Sequence, residues 1–142
     1  MENIKQTPEG IALIICDQVI TDARTHKKTL VGIFNQIAAR KFPVVHPNLG
    51  IFLSISQGKG AYDGKLKLIH EDSDETLVSL NGNVKFENPL QIVEVSFIIN
   101  NLGFKQAGNY RFEFTCDDIP VLTRRFIVSQ LNPPDAGQNP ER

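Results

Sequence analysis

The chain has 142 residues, 41% of them apolar and 22% charged, with a formal net charge of −1. That length suits one domain with a core of its own, and the composition argues against a disordered chain. Basic residues cluster only as the pairs Lys27-Lys28, Arg40-Lys41 and Arg124-Arg125. No nucleic-acid partner is expected, because neutralising phosphates takes a concentrated basic face.

Residues 1–9 read as a loose leader without an apolar segment. Ala12 to Cys16 is a run too short for a signal peptide or a membrane span, so no membrane partner is expected. Two cysteines, Cys16 and Cys116, make no disulfide scaffold, and a cytoplasmic location with reduced thiols is the expectation. Residues 132–142 hold three prolines and no large apolar side chain, and read as a disordered tail. The folded domain is therefore expected over residues 10–131.

Within it, apolar residues recur with period two between turn signals. The expected strands run Ala12–Asp17, Thr29–Ile37 (broken by Gly32), Leu49–Ser56 and Lys65–His70. They continue with Thr76–Phe86, Gln91–Ile99, Asn109–Cys116 and Leu122–Gln130. Asn81-Gly82-Asn83 reads as a bulge or secondary turn, and the 17–28 connection has room for a short helical turn. Eight strands, each with one apolar and one polar side, imply an all-β, two-sheet antiparallel sandwich. Gly108-Asn-Tyr110 is similar to the tyrosine corner of immunoglobulin-like sandwiches, in which the phenol bonds backbone a few residues upstream. Phe112 stands where such domains carry cysteine and Trp is absent, so a related Greek-key topology is expected rather than an antibody-type disulfide core.

The stretches Ala12 to Asp17 and Asp22 to Phe34, the Gly-x-Tyr strand, and Arg124-Arg125-Phe126-x-Val128 resemble a small bacterial family of unknown function. The resemblance covers most of residues 10–131. It implies the sandwich fold and a bacterial origin, and assigns no activity.

Chemical motifs are sparse. His70-Glu71 begins a zinc-protease pattern, but Asp74 stands where the second His belongs and the segment ends a strand. Asp72, Asp74 and Glu75 are the candidate metal ligands, since loop aspartates can hold calcium; acidic turns alone explain them as well. The glycines from Gly58 to Gly64 do not match a phosphate loop, and Cys16 lies in an apolar run as a small core residue does. The three histidines read as surface or turn residues. No cofactor and no catalytic residue is expected, and the chain is read as no enzyme.

Asp17, Asp22, Arg24 and Lys28 form the candidate functional loop, in a connection long for a hairpin. Ile33, Ile92, Ile98 and Ile127 fall on sides assigned to solvent and form the candidate interface, should they make one patch. The first functional expectation is an interaction module for an unknown protein partner or for self-association. The alternative is a sandwich binding a small ligand, carbohydrate or Ca²⁺, with Tyr62, placed in a turn, as the free aromatic platform, and an enzyme with an unrecognised site ranks third.

Overall fold

The computed structural model describes residues 5–132. The sequence of strands is β1 (Glu9–Thr21), β2 (Lys28–Ile33), β3 (Gln36–Ala39), β4 (Val44–Ser56), β5 (Gly60–His70), β6 (Glu75–Phe86), β7 (Val93–Phe104), β8 (Gly108–Cys116) and β9 (Ile119–Gln130). They form a four-stranded sheet, β2-β1-β4-β7, and a five-stranded sheet, β3-β9-β8-β5-β6. The chain crosses between sheets from β4 to β5 and again from β7 to β8. Thus β4 and β7 neighbour each other in one sheet while β5 and β8 do so in the other, the interlocked Greek-key arrangement of immunoglobulin-like sandwiches.

Period-two burial explains the packing. Leu49, Ile51, Leu53 and Ile55 of β4 face Leu66 and Leu68 of β5 and Phe112 and Phe114 of β8 across one dry interlayer, and all eight are at most 1% exposed. At one end the core is aromatic. Phe126 stacks on Tyr110 and on Phe112, with ring centroids 5.7 and 5.5 Å apart, and meets Phe104 edge-on at 6.0 Å. The Tyr110 hydroxyl donates to Gln106 O at 2.6 Å, which is the tyrosine corner expected from Gly-x-Tyr.

Several expected boundaries are corrected. Thr29–Ile37 is not one strand. β2 belongs to the four-stranded sheet and β3 to the other, where it runs parallel to β9. The switch is made at Phe34 and Asn35: Phe34 N–H donates to Ile15 O, and Ile127 N–H donates to Asn35 O. Asn81 to Asn83 is no turn; Gly82 sits opposite Gly64 in an unbroken pairing. The bulge lies instead at Leu77, where pairing passes from Leu68↔Val78 to Ile69↔Thr76. The first connection is shorter than expected, because β1 runs on to Thr21 and pairs with Lys28 of β2, and residues 22–27 between them hold a single helical turn, His26 N–H donating to Asp22 O at 2.9 Å. Lys5 and Gln6, expected to be loose, are tied down: Tyr62 Oη donates to Gln6 O at 2.5 Å, and Lys5 Nζ lies 4.2 Å from the Tyr62 ring centre. Residues 1–4 and 133–142, most of the expected tail, lie outside the described residues.

Candidate functional site

The two outer faces of the sandwich differ in chemistry. In the four-stranded sheet, Cys16 pairs with Ile33 on one side and Gly50 on the other, and Gly50 pairs with Ile98. Directly opposed residues share a face, so Ile33, Cys16, Gly50 and Ile98 form one row across all four strands. Cys16 and Gly50 are buried, whereas Ile33 and Ile98 stand 57% and 63% exposed at the row's ends. The adjacent row is Ile14, Phe52 and Ser96. Asp, Glu, Lys and Arg in the four strands are limited to Glu9, Asp17, Lys28 and Glu94.

The outer face of the five-stranded sheet is charged. Lys67 pairs with Glu113, and Ile69 with Arg111, which pairs with Arg125. Glu71 accepts from Arg125 Nε at 2.9 Å and lies 3.5 Å from Arg111. Ile127 is on this face, 48% exposed, opposite Gln36 and Asn109. The four candidate isoleucines therefore do not make one patch. Ile33 and Ile98 share a row, Ile92 lies beside the same sheet just before β7, and Ile127 is on the far side of the molecule.

The candidate loop residues are spread along a hairpin. Asp22 caps its turn, accepting from Arg24 N–H and Thr25 N–H at 2.8 Å each, with Thr25 the leading cause holding its carboxyl below the usual range. Lys28 donates to Thr21 Oγ1 at 3.0 Å, and Arg24 is exposed. Asp17 sits further down β1, 3.6 Å from His46 Nε2. It faces Gly32, whose φ of +71° and lack of Cβ leave room for the carboxylate.

Asp72, Asp74 and Glu75 follow one another round the β5–β6 turn, and Asp74 has φ +59°. Among the described residues no three His, Cys, Asp or Glu side chains converge as a metal site would require. Asp117, near Asp63 and Asp118, spends both carboxylate oxygens on the fold: Oδ1 accepts from Asp63 N–H and Oδ2 from Lys5. Tyr62 is no free platform. It lies in β5 at 4% exposure. His70 is buried, not a surface residue. Ser73 N–H donates to its Nδ1 at 3.3 Å, and its Nε2 lacks a hydrogen-bond partner among the described residues. The pairing of a buried His70 with the Tyr110 ring, centroids 4.8 Å apart, had no sequence signal beyond the end of an alternating strand.

Cys116 belongs to the core, while Cys16 lies in the outer row. Both are free and buried. Burial first, then the Asp117 charge, pushes the Cys116 thiol up to about 11 from the ordinary 9.0. A proton held more tightly by the folded chain contributes stability that is complete below the unfolded value and fades as pH rises through the folded one. The urea midpoint of the protein is expected to fall between about pH 9 and 11, and less so in Cys116→Ala. An identical fall in the variant would contradict this.

The fold and surface define an immunoglobulin-like β-sandwich with one charged and one largely uncharged outer face. Residues 11–129 match the model of a family of unknown function, DUF6941, and the chain belongs to that family. No match is found among curated proteins. Among solved structures the chain is similar to the CARDB domain of a Pyrococcus furiosus protein, in complex with di-metal ions in its crystal. Identity is 11% and the TM-score 0.40, over 88% of this chain and 96% of that one.

Proposed function

We propose that the protein is a non-enzymatic interaction module that meets a protein surface through the outer face of its four-stranded sheet. The observation that carries this reading is the Ile33–Cys16–Gly50–Ile98 row, with Ile14 and Phe52 beside it, set against a charged opposite face. Apolar area grouped on one face has a cost in water that a partner removes, whereas isolated exposed isoleucines need no explanation. Cys16 and Gly50 in the middle of the row are covered by the chain itself, with Val19 over Gly50, so the apolar area open to a partner is that of Ile33, Ile98 and the half-buried Ile14 and Phe52. A reducing compartment fits the same reading, since Cys16 and Cys116 are free and lie in different layers.

Hydroxyl-radical footprinting tests it. The purified chain, diluted, is compared with the chain in extract of its own cells. Protection of Ile33, Phe52 and Ile98 in the extract, with Lys67 and Arg125 unchanged, is the expected result. Equal labelling in both samples, or protection of the charged face alone, would overturn it.

A further inference from the structure

The sandwich has four edge strands, and three carry features that discourage pairing. β2 has six residues and a glycine at φ +71°, β3 has four residues, and β6 is interrupted by the bulge at Leu77. Short strands, bulges and kinks are the usual ways an open edge is blunted. β7 has none of these from Val93 to Asn100, its one left-handed residue being Asn101 at φ +54° near its end. It pairs with β4 from Val93 to Phe104 with no shift of register, and β4 is its only strand partner among the described residues. Of its twelve residues Glu94 alone is charged, and it contains neither lysine nor proline. Exposed apolar side chains crowd this edge: Ile98 on the strand, and Leu90 and Ile92 in the connection leading into it, at 83% and 60% exposure.

We infer that β7 pairs antiparallel with β7 of a second copy of this chain, giving a two-fold dimer with a continuous eight-stranded sheet. The pairing rests on the reading that this sheet's outer face is the one covered, and it names both the edge and the occupant. Main-chain donors and acceptors along the open side of β7 call for an extended strand. A second β7 supplies one, and like edges related by a two-fold close at once into a finite dimer, whereas unlike edges run on into a filament unless their rotation completes a ring.

Charge supports the same occupant. A two-fold at Ile98 sets Ile98 against its own copy and Ser96 against Asn100. The two Glu94 carboxylates then stand about 27 Å apart along the strands, at roughly 3.4 Å per residue. Like charges are thus kept apart without any added residue. The same register joins the two outer rows end to end, from Ile33 through Cys16, Gly50 and Ile98 to the same residues of the second copy, and covers both Ile98 side chains.

Sedimentation velocity over a concentration series reaching about 0.3 mM tests the pairing. The wild-type chain is expected to pass from 15.9 kDa to twice that mass as concentration rises. Ile98→Glu places like charges at the junction, and the dissociation constant is expected to weaken at least tenfold, about 1.4 kcal/mol or more. Ile98 projects from the outer face, so circular dichroism and the melting temperature should confirm that I98E is folded. Ile33→Glu, at the opposite edge, should leave the dimer unchanged.

Amide exchange on wild-type protein gives a readout free of any variant: β7 amides should slow with concentration and β2 amides should not. A wild-type chain that stays monomeric throughout, or a dimer insensitive to I98E, would overturn the pairing. A dimer lost in I33E and kept in I98E would overturn the β7 edge while leaving the apolar face as the covered surface. A lasting monomer whose Ile33 and Phe52 are protected in cell extract would do the same. Absence of both dimer and protection would remove both readings.

Discussion

Phe126→Ala is expected to lower the stability of the fold by about 3–5 kcal/mol, the usual cost of deleting a buried phenyl ring. Phe126 is 2% exposed and is the shared partner of Phe104, Tyr110 and Phe112. Tyr110 holds the β7–β8 connection through Gln106, and Phe104 and Phe112 belong to opposite sheets. The cavity would therefore open where the two sheets are joined, and little around it can collapse inward. Urea unfolding checks the value: the midpoint should fall with the slope unchanged. Ile98→Ala, on the outer face, should change stability by no more than about 0.5 kcal/mol. Equal losses in the two variants would mean that the aromatic cluster is not the centre of the core.

Gly64→Ala is the second large effect, and it arises from too much matter. A Cβ at Gly64 would overlap the carbonyl oxygen of Gly82 and lie 2.8 Å from the Phe114 ring. The carbonyl is main chain in the neighbouring strand and cannot rotate away. Relief requires β5 and β6 to separate or Phe114 to leave its rotamer, with a loss of about 1–3 kcal/mol or more. Gly60→Ala is the spatial control, since a Cβ there meets nothing within 4 Å. Its φ of +78° still carries a left-handed penalty of about 1–2 kcal/mol. The two variants should differ in kind: G64A should speed exchange of amides across the β5–β6 pairing, and G60A should act only at its turn.

The comparison of Gly64 with Gly82 shows why some of the sequence was readable and some was not. Asn81-Gly82-Asn83 has turn composition, yet the glycine serves close approach: a Cβ on it would come 3.1 Å from the Phe97 ring of the opposite sheet. Turn chemistry and tight packing both select glycine, and a single sequence does not separate them. Asn100-Asn101 misled in the opposite way. It ends the predicted strand at Ile99, whereas the structure continues through Asn101 at φ +54°, which shifts the inward set to Leu102 and Phe104. Pro43 and Pro47 similarly hid the first part of β4. Period-two burial nevertheless located the inward residues of β5, β8 and β9, because alternation records sidedness directly.

What alternation does not record is which strands lie side by side. The exposure of Ile33 and Ile98 was legible. Their place in one row was not, because it depends on three pairings between strands distant in sequence. The same limit grouped Ile127 with them, although it faces away from the other side of the sandwich. The Asp17–Lys28 segment looked like a long functional loop because Asp17 and Thr21 resemble loop residues, whereas both lie in β1, Thr21 paired with Lys28 and Asp17 between the paired Cys16 and Gln18.

The apparent mass of the chain in native extract of its own cells, resolved by size-exclusion chromatography, tests most directly whether the apolar outer face is where this protein meets other surfaces. Wild-type chain should elute well above 15.9 kDa. The double variant Ile33→Glu with Ile98→Glu should move toward the monomer, and Lys67→Glu with Arg125→Glu should elute with the wild type. A wild-type chain eluting as a monomer, or a shift produced only by the charged-face variant, would contradict the account.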